Sequence, residues 1–212
     1  MLYRYSAAGN IIGIAASTEN RPSPPHCPQA VDQWVIYHPE TLNLHIYNQD
    51  GTMAQQCGNG LRTLGLHLGL PKLTVIIGHK QFLIVKKHGR HWVNLGQASK
   101  LPETPIPVPH HAVNLGNQHI ITFVSDNLIS DFQTAFNHFN ISFISQHRNQ
   151  IAIRTHERGV GWTLSCGSAA AAAAFVCSRP GYRSWEVSSS GGILNVEQHQ
   201  GNLWLSGPVK QL

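Results

Sequence analysis

Two short stretches decide the fold: Cys57-Gly-Asn-Gly60 and Cys166-Gly-Ser-Ala169. Each places a cysteine and a glycine directly before a segment of helical character. The first is followed by leucines at helical spacing and ends at Gly69. The second continues into an unbroken run of alanine, the residue that favours helix most strongly. We therefore predict one helix after each cysteine, with the sulfur at the helix N-terminus.

A cysteine in this position has a defined chemistry. The free backbone N–H groups and the dipole of the helix favour a negative charge, so both thiol pKa values are predicted to fall. The two cysteines lie 109 residues apart, which places one reactive sulfur in each half of the chain.

The two halves match at further positions. Gly9-Asn10 corresponds to Gly116-Asn117, and Gln33 to Asn140, both at an offset of 107 residues. A repeat of about a hundred residues is too long for a solenoid unit and suits two similar domains. We predict a duplication, with the first domain spanning 1–100 and carrying Cys57, and the second spanning 101–212 and carrying Cys166.

Composition narrows the function classes. The 15 basic residues exceed the 10 acidic ones, but the local basic cluster flanks an apparent hairpin turn at Gly89 and favours a solvated hairpin over nucleic-acid binding. The 14 histidines show no metal-site spacing, and no apolar run reaches 18 residues. The N-terminus lacks the pattern of a signal peptide. We expect no metal, no nucleic acid, no membrane segment and a cytoplasmic location.

Most of the remaining chain alternates as short strands do. A further helix is expected over 126–139, loops over the proline-rich segments 21–28 and 99–109, and the whole is an α+β chain. The predicted strands are Ile11–Ala16, Trp34–Tyr37, Leu42–Tyr47, Leu73–Ile77, Phe82–Lys87, His91–Leu95, Ile120–Ser125, Ile141–Ser145, Gln150–Thr155, Trp185–Ser188, Ile193–Glu197 and Asn202–Leu205.

The motifs resemble those of a known family. Ala54-Gln-Gln-Cys57-Gly-Asn-Gly, within the segment from Tyr47 to Arg62, closely resembles the first signature of the diaminopimelate epimerases. Glu157-Arg-Gly159 followed by Cys166-Gly-Ser resembles the second. The resemblance implies two pseudo-symmetric domains, each a mostly antiparallel sheet wrapped round a central helix, with one cysteine from each in a shared active site. It also implies that 207–212 return to the first domain.

The resemblance further implies an isomerase that interconverts LL- and meso-diaminopimelate, an amino acid used in lysine and peptidoglycan precursor biosynthesis, without any cofactor. The residue types suit this chemistry. Inverting an α-carbon removes a proton from one face and returns one to the other, which two thiols on opposite faces can do as base and acid.

Site residues also follow from the resemblance. Cys57 and Cys166 would be catalytic, and His119 would support the first of them. The helix N-termini behind the cysteines would bind the α-carboxylate of the substrate. Asn10, Gln33 and Glu157 would lie near the ammonium group of the same reacting centre. Substrate-binding residues would be Asn10, Gln33, Asn48, Gly58, Asn59, Asn117, Asn140, Glu157, Arg158, Gly167 and Ser168, with Arg158 pairing the distal carboxylate.

Four positions depart from the family pattern, namely Ile11, Gln118, Trp162 and Ala169. They leave the substrate open. The alternatives are a related two-cysteine racemase of another amino acid, such as histidine, and a non-catalytic relative that binds amino acids or acts as a thiol redox switch. The oligomeric state is open as well, with a homodimer as one candidate.

Overall fold

The computed structural model of the chain describes residues 2–25, 30–102 and 108–212. The predicted loop around Cys27 and the centre of the predicted proline-rich linker, 103–107, lie outside these residues. Contacts divide the chain into two compact units, which we call the first unit (1–94 and 206–212) and the second unit (95–205). The predicted domain boundary at residue 100 stays a prediction.

The strands are β1 (Leu2–Ala7), β2 (Asn10–Ala16), β3 (Gln33–Tyr37), β4 (Asn43–Asn48), β5 (Lys72–Ile77), β6 (Lys80–Lys87), β7 (Arg90–Gln97), β8 (Ser99–Lys100), β9 (His111–Asn114), β10 (Gln118–Thr122), β11 (Asn140–His147), β12 (Gln150–Glu157), β13 (Gly161–Thr163), β14 (Ser184–Ser189), β15 (Gly192–His199), β16 (Asn202–Ser206) and β17 (Val209–Gln211). The α-helices are α1 (Gly58–Leu68), α2 (Ile129–Ala135) and α3 (Gly167–Val176), with a 3₁₀ turn at Asp126–Leu128.

In the first unit, the strands follow the order β17-β1-β2-β3-β4-β5-β6-β7. Neighbours are antiparallel except β2–β3 and β4–β5, which are parallel. Helix α1 follows β4 and packs against β1, β2, β3 and β6. Its first eight residues, 58–65, are all buried, so the sheet surrounds the helix that Cys57 precedes.

The second unit repeats this arrangement. Strand β9 pairs antiparallel with β10, β10 parallel with β11, β11 antiparallel with β12, β12 parallel with β14, and β14 antiparallel with β15. Helix α3 lies at the position equivalent to α1, and every alanine from Ala169 to Ala174 is fully buried. Because alanine ends at Cβ, strands can approach the helix closely on all sides. The predicted α+β fold, with two similar units and a central helix in each, is confirmed.

Some local predictions differ from the structure. The helix expected over 126–139 is shorter, because the chain leaves the helical conformation at Phe136, where φ is −132°. Strands β1, β8, β9, β13 and β17 were not predicted, and β8 lies within the segment 99–109 that was predicted to be a loop. Strand β17 brings the chain back to the first unit, where it pairs antiparallel with β1. No helix in the described ranges is long and apolar enough to cross a membrane.

Candidate active site

Cys57 is the N-cap residue of α1. Its backbone is extended, with φ −147° and ψ 106°, and its Sγ atom accepts the Gly60 N–H at 3.1 Å. A cap of this kind satisfies one of the N–H groups that the first turn of a helix leaves unpaired. Sequence alone thus predicted the position of this sulfur correctly, and Gly58 and Asn59 occupy the first turn directly behind it.

Two hydrogen-bonded amide side chains connect this sulfur to the C-terminal end of β4. Gln33 and Asn48 are paired in register across β3 and β4. The Cys57 thiol donates to Oε1 of Gln33 at 2.6 Å, and Nε2 of Gln33 donates to Oδ1 of Asn48 at 2.9 Å. Asn48 in turn donates to Thr52 Oγ1 at 3.1 Å. The first unit therefore brings Cys57, Gln33 and Asn48 together.

Asn10 stands at the start of β2. It pairs with Ala7 in the antiparallel register of β1 and β2, two positions before Ile12, which is the register partner of Gln33. The adjacent Ile11 donates its backbone N–H to Asp32 Oδ2 at 2.6 Å. Asn10 and Gln33 thus emerge from neighbouring parallel strands.

Cys166 occupies the same position in the second unit but in a different environment. It is the N-cap of α3, with φ −121°, yet its side chain makes no capping hydrogen bond. Its Sγ lies 3.5 Å from Oγ of Ser168. Glu157, at the end of β12, interacts with the thiol as well and accepts a hydrogen bond from Thr163 Oγ1 at 2.7 Å. The short hairpin of β12 and β13 brings Glu157 and Thr163 together.

The prediction that the helix N-terminus lowers both thiol pKa values is wrong for Cys166. Burial raises the pKa of Cys166 well above its usual value, and the negative charge of Glu157 raises it further. The Glu157 carboxyl responds in the same direction, because burial raises its pKa while hydrogen bonds from Thr163 and Cys166 offset part of the rise. Removal of water and a neighbouring carboxylate outweigh the helix dipole here.

The other polar residues predicted in the second unit fall into one group. His119 on β10 and Asn140 on β11 are register partners, and Asn140 Oδ1 accepts the backbone N–H of Arg158 at 3.0 Å. Asn117 directly precedes β10, where its carbonyl accepts the Leu115 N–H at 3.0 Å. Arg158 itself is exposed. Four of the predicted residues thus lie at one end of β10, β11 and β12.

His119 is fully buried, and neither ring nitrogen has a hydrogen-bond partner among the described residues. Burial lowers the pKa of its imidazole to about 3, so the ring is neutral at neutral pH. An imidazole buried without hydrogen-bond partners is unfavourable for folding, because its ring nitrogens have lost their hydrogen bonds to water.

Two departures from the family motifs are visible in the second unit. Trp162 on β13 is 44% exposed, and the Arg154 guanidinium lies 4.6 Å from its ring centroid. Ala169 is fully buried in the first turn of α3. Trp162 therefore lies at the surface beside Arg154, whereas Ala169 packs in the interior.

Sequence reasoning assigned no role to two residues that contact predicted site residues, one in each unit. Arg62 lies on α1 with its side chain fully buried and donates from Nη2 to Asn59 Oδ1 at 2.6 Å. Thr163 binds Glu157, as described above. The available signal for Arg62 was its place at the end of the segment that resembles the first family signature, within the predicted leucine-rich helix. Within the described ranges, no group of three or more His, Cys, Asp or Glu side chains is arranged to hold a metal ion.

Comparison with known proteins gives the family. No protein-family model matches the chain. A diaminopimelate epimerase of Wolbachia sp. subsp. Drosophila simulans is 32% identical over 202 residues, which cover 78% of this chain and 77% of the relative. The chain belongs to the diaminopimelate epimerase family. A second diaminopimelate epimerase, of Acinetobacter baumannii, is 29% identical over 242 residues, covering 92% of this chain and 85% of that protein.

Solved structures share the fold of this family member. A phenazine biosynthesis PhzF-family protein of Enterococcus faecalis aligns with a TM-score of 0.71 at 13% identity, covering 100% of this chain and 96% of its own. A hydroxyproline epimerase of Agrobacterium vitis aligns with a TM-score of 0.62 at 11% identity, covering 100% and 91%. At such identities the likeness establishes the fold only. Family membership makes this chain an isomerase, as the motifs predicted.

Proposed function

We propose that this isomerase interconverts LL- and meso-diaminopimelate through Cys57 and Cys166. One sulfur, as the thiolate, removes the α-proton, and the other, as the neutral thiol, returns a proton to the opposite face. The roles exchange when the reaction runs in reverse. The two sulfurs supply both proton-transfer groups, so the proposal requires no cofactor.

The observation that carries this proposal is the opposite electrostatic environment of the two sulfurs. Cys57 interacts with the charge of the buried Arg62 guanidinium, whereas Cys166 lies beside the Glu157 carboxyl. A positive neighbour favours a thiolate and a negative neighbour favours a neutral thiol. A two-base reaction needs one sulfur in each state before the substrate reacts.

The backbone N–H groups of the first helical turns support a site for the α-carboxylate. Gly58 and Asn59 begin α1, and Gly167 and Ser168 begin α3. Fixed dipoles at these positions would stabilise the charge that moves onto the carboxylate as the carbanion forms. The distal amino acid end of diaminopimelate is proposed to bind four polar side chains, namely Asn48, Asn117, Asn140 and Arg158.

A homodimer and a cytoplasmic location stay predictions.

The test is α-proton exchange in deuterated water, followed by NMR, with LL-diaminopimelate, meso-diaminopimelate, L-histidine and trans-4-hydroxy-L-proline. We expect exchange and epimerisation of both diaminopimelate isomers. Exchange of histidine or hydroxyproline alone would assign the chain to a different racemase within this fold.

Cysteine variants test the mechanism separately. Cys57→Ser and Cys166→Ser should each lower epimerisation by at least about a hundredfold, because a serine hydroxyl is too weak a base at neutral pH. The matched control is Cys177→Ala, since burial raises the pKa of Cys177 to about 11 and this thiol cannot act as a base. Wild-type rates in either serine variant would exclude the two-thiol mechanism.

A further inference from the structure

The buried arginine of α1 has an unusual set of partners. The Arg62 side chain is 0% exposed. Its Nη2 donates to Oδ1 of Asn59 at 2.6 Å and its Nη1 to the carbonyl of Pro208 at 3.3 Å, while Nε has no acceptor within the described ranges. Both acceptors are neutral. In the part of the chain that the structure describes, no carboxylate forms a hydrogen bond or an ion pair with this guanidinium.

A buried charge without a counter-ion is strongly unfavourable. Burial lowers the pKa of Arg62 to about 10, while the negative charge of Cys57 raises this pKa. The guanidinium is therefore protonated at neutral pH. Cys57 is thus the acidic group whose negative charge interacts with the Arg62 guanidinium. The coupling is reciprocal, because a thiolate that stabilises a cation is itself stabilised by it to the same extent.

The second copy of the fold provides an internal comparison. Cys57 and Cys166 are both N-cap residues of their helices, and five residues later stand Arg62 and Ala171, both fully buried. The position that holds a cation behind the first sulfur therefore holds a methyl group behind the second. Cys166 has a carboxyl neighbour, Glu157, instead. Both cysteines thus have an extended backbone and precede a helix, but the charge near the sulfur has opposite sign in the two units.

We propose that Arg62 is a positioning residue that holds Cys57 as a thiolate in the resting protein and fixes Asn59 in the turn behind it. Cys57 is then the resting base and Cys166 the resting acid. The inference rests on the proposed function for these two roles, while the state of the Cys57 sulfur can be measured without any substrate.

The neighbours of Cys57 accommodate both of its states. In the structure the thiol donates to Oε1 of Gln33. If the Gln33 amide flips, Nε2 faces the sulfur and donates to a thiolate instead. Oε1 of Gln33 then faces Asn48, so Asn48 must flip as well and exchange its bond to Thr52 for a bond to Gln33. The same residue can therefore serve the sulfur before and after it takes up the substrate proton.

The experiment compares alkylation at individual cysteines by peptide mass spectrometry, in the full chain and without amino acid. Rates with neutral iodoacetamide are measured from pH 5 to 10, so that each cysteine gives the pH midpoint at which it becomes reactive. We expect Cys57 to have a midpoint at least one pH unit below that of Cys166. Anionic iodoacetate, relative to iodoacetamide, should react faster at Cys57 than at Cys166.

Variants identify the source of this difference. Arg62→Gln keeps hydrogen-bonding groups but removes the charge, and should raise the Cys57 midpoint by at least one unit, or slow alkylation at neutral pH about tenfold, with Cys166 unchanged. Arg62→Lys should restore most of the wild-type midpoint. The matched control is Arg90→Gln, an exposed cation of the same unit, which should change nothing. Circular dichroism verifies that each variant is folded.

The outcomes separate this inference from the proposed reaction. If a folded Arg62→Gln protein shows the wild-type pH midpoint for Cys57 alkylation, the inference is wrong, even if the protein epimerises diaminopimelate. A low, Arg62-dependent Cys57 midpoint in a protein that does not turn over diaminopimelate supports the inference and rejects the substrate. If Arg62→Gln does not fold, the wild-type protein decides. An equal ratio of iodoacetate to iodoacetamide rates at Cys57 and Cys166 would then overturn the inference.

Discussion

The Sγ atom of Cys57 lies 2.6 Å from Oε1 of Gln33, so the first sulfur is in direct hydrogen-bond contact with an amide that can either accept or donate. The amide is held from its other end by Asn48, at 2.9 Å. Under the proposed function this sulfur alternates between thiol and thiolate, and an amide has both an acceptor and a donor for these two states.

Gln33→Glu should trap this sulfur in its protonated state. A carboxylate accepts from a thiol but cannot donate to a thiolate, and its charge opposes a second negative charge. We expect the pH midpoint of Cys57 alkylation to rise by about one to two units. The control is Gln81→Glu, an exposed position on β6 that adds the same charge to the first unit. An unshifted midpoint in Gln33→Glu would show that the contact does not govern the sulfur.

Glu157→Gln should act on the second sulfur in the opposite direction. Burial and then the Glu157 charge raise the pKa of Cys166, so removing the charge should lower the pH at which Cys166 is alkylated. Thr163→Val should produce a smaller shift of the same sign, because the Thr163 hydroxyl stabilises the ionised carboxylate and holds the pKa of Glu157 down. Alkylation of Cys57 in the same samples is the internal reference. A rise at Cys166 in either variant contradicts the assignment.

Buried His119 should make the protein sensitive to acid. Its pKa is lowered from 6.5 to about 3, so in this range the unfolded chain binds a proton that the folded chain does not. Stability is therefore lost as the pH falls through 6.5, by about 2 kcal/mol between pH 7 and pH 5. Urea unfolding of His119→Leu should lack this component of the pH dependence. His138→Leu, at an exposed position, should keep it, and identical slopes in both variants would disprove the buried neutral state.

Gly60→Ala should destabilise the first unit although alanine favours helix. A Cβ at residue 60 would lie 2.7 Å from Cγ2 of Val35, inside van der Waals contact. We expect a loss of about 1–3 kcal/mol in the free energy of unfolding, as for other overpacked cores. The equivalent position of the second unit is the fully buried Ala169, where Ala169→Gly should cost about 1–2 kcal/mol through helix propensity and the loss of a buried methyl group. Stabilisation by Gly60→Ala would contradict the packing described for α1.

Arg158→Lys tests the proposed recognition of the distal carboxylate. Lysine keeps the charge but not the planar pair of donors that binds a carboxylate at two points. Under the proposed function, diaminopimelate turnover should fall at least about tenfold with the thermal midpoint unchanged, since Arg158 is exposed. Arg183→Lys, another exposed arginine of the second unit, serves as the control. Equal kinetics in all three proteins would indicate another anchor or another substrate.

Local patterns were sufficient to predict the two central helices. Capping and helical spacing are properties of consecutive residues, so the positions of Cys57 and Cys166 could be inferred from the chain alone. Strand β1 was missed because its short polar and aromatic alternation becomes a strand through its pairing with β2 and β17. Strand propensity depends strongly on such partners.

The raised pKa of Cys166 could not be predicted in the same way. Glu157 lies nine residues before Cys166, and the β12–β13 hairpin is what returns the chain toward the sulfur. Arg62 presents a similar case, because the Pro208 carbonyl that it binds is 146 residues away in the sequence. Interactions across such separations depend on the folded chain and leave no periodic signal.

The contact between Arg62 and Pro208 also has a consequence for synthesis on the ribosome. Strand β17 and Pro208 are translated only after the whole of the second unit, roughly ten seconds after residue 94 at ordinary elongation rates. During that interval the nascent first unit has neither its outer strand on β1 nor one of the acceptors of its buried guanidinium. The helix that follows Cys57 therefore reaches its final environment late. A ribosome stalled between these points would hold a first unit in which Arg62, five residues after Cys57, still lacks its hydrogen bond to Pro208.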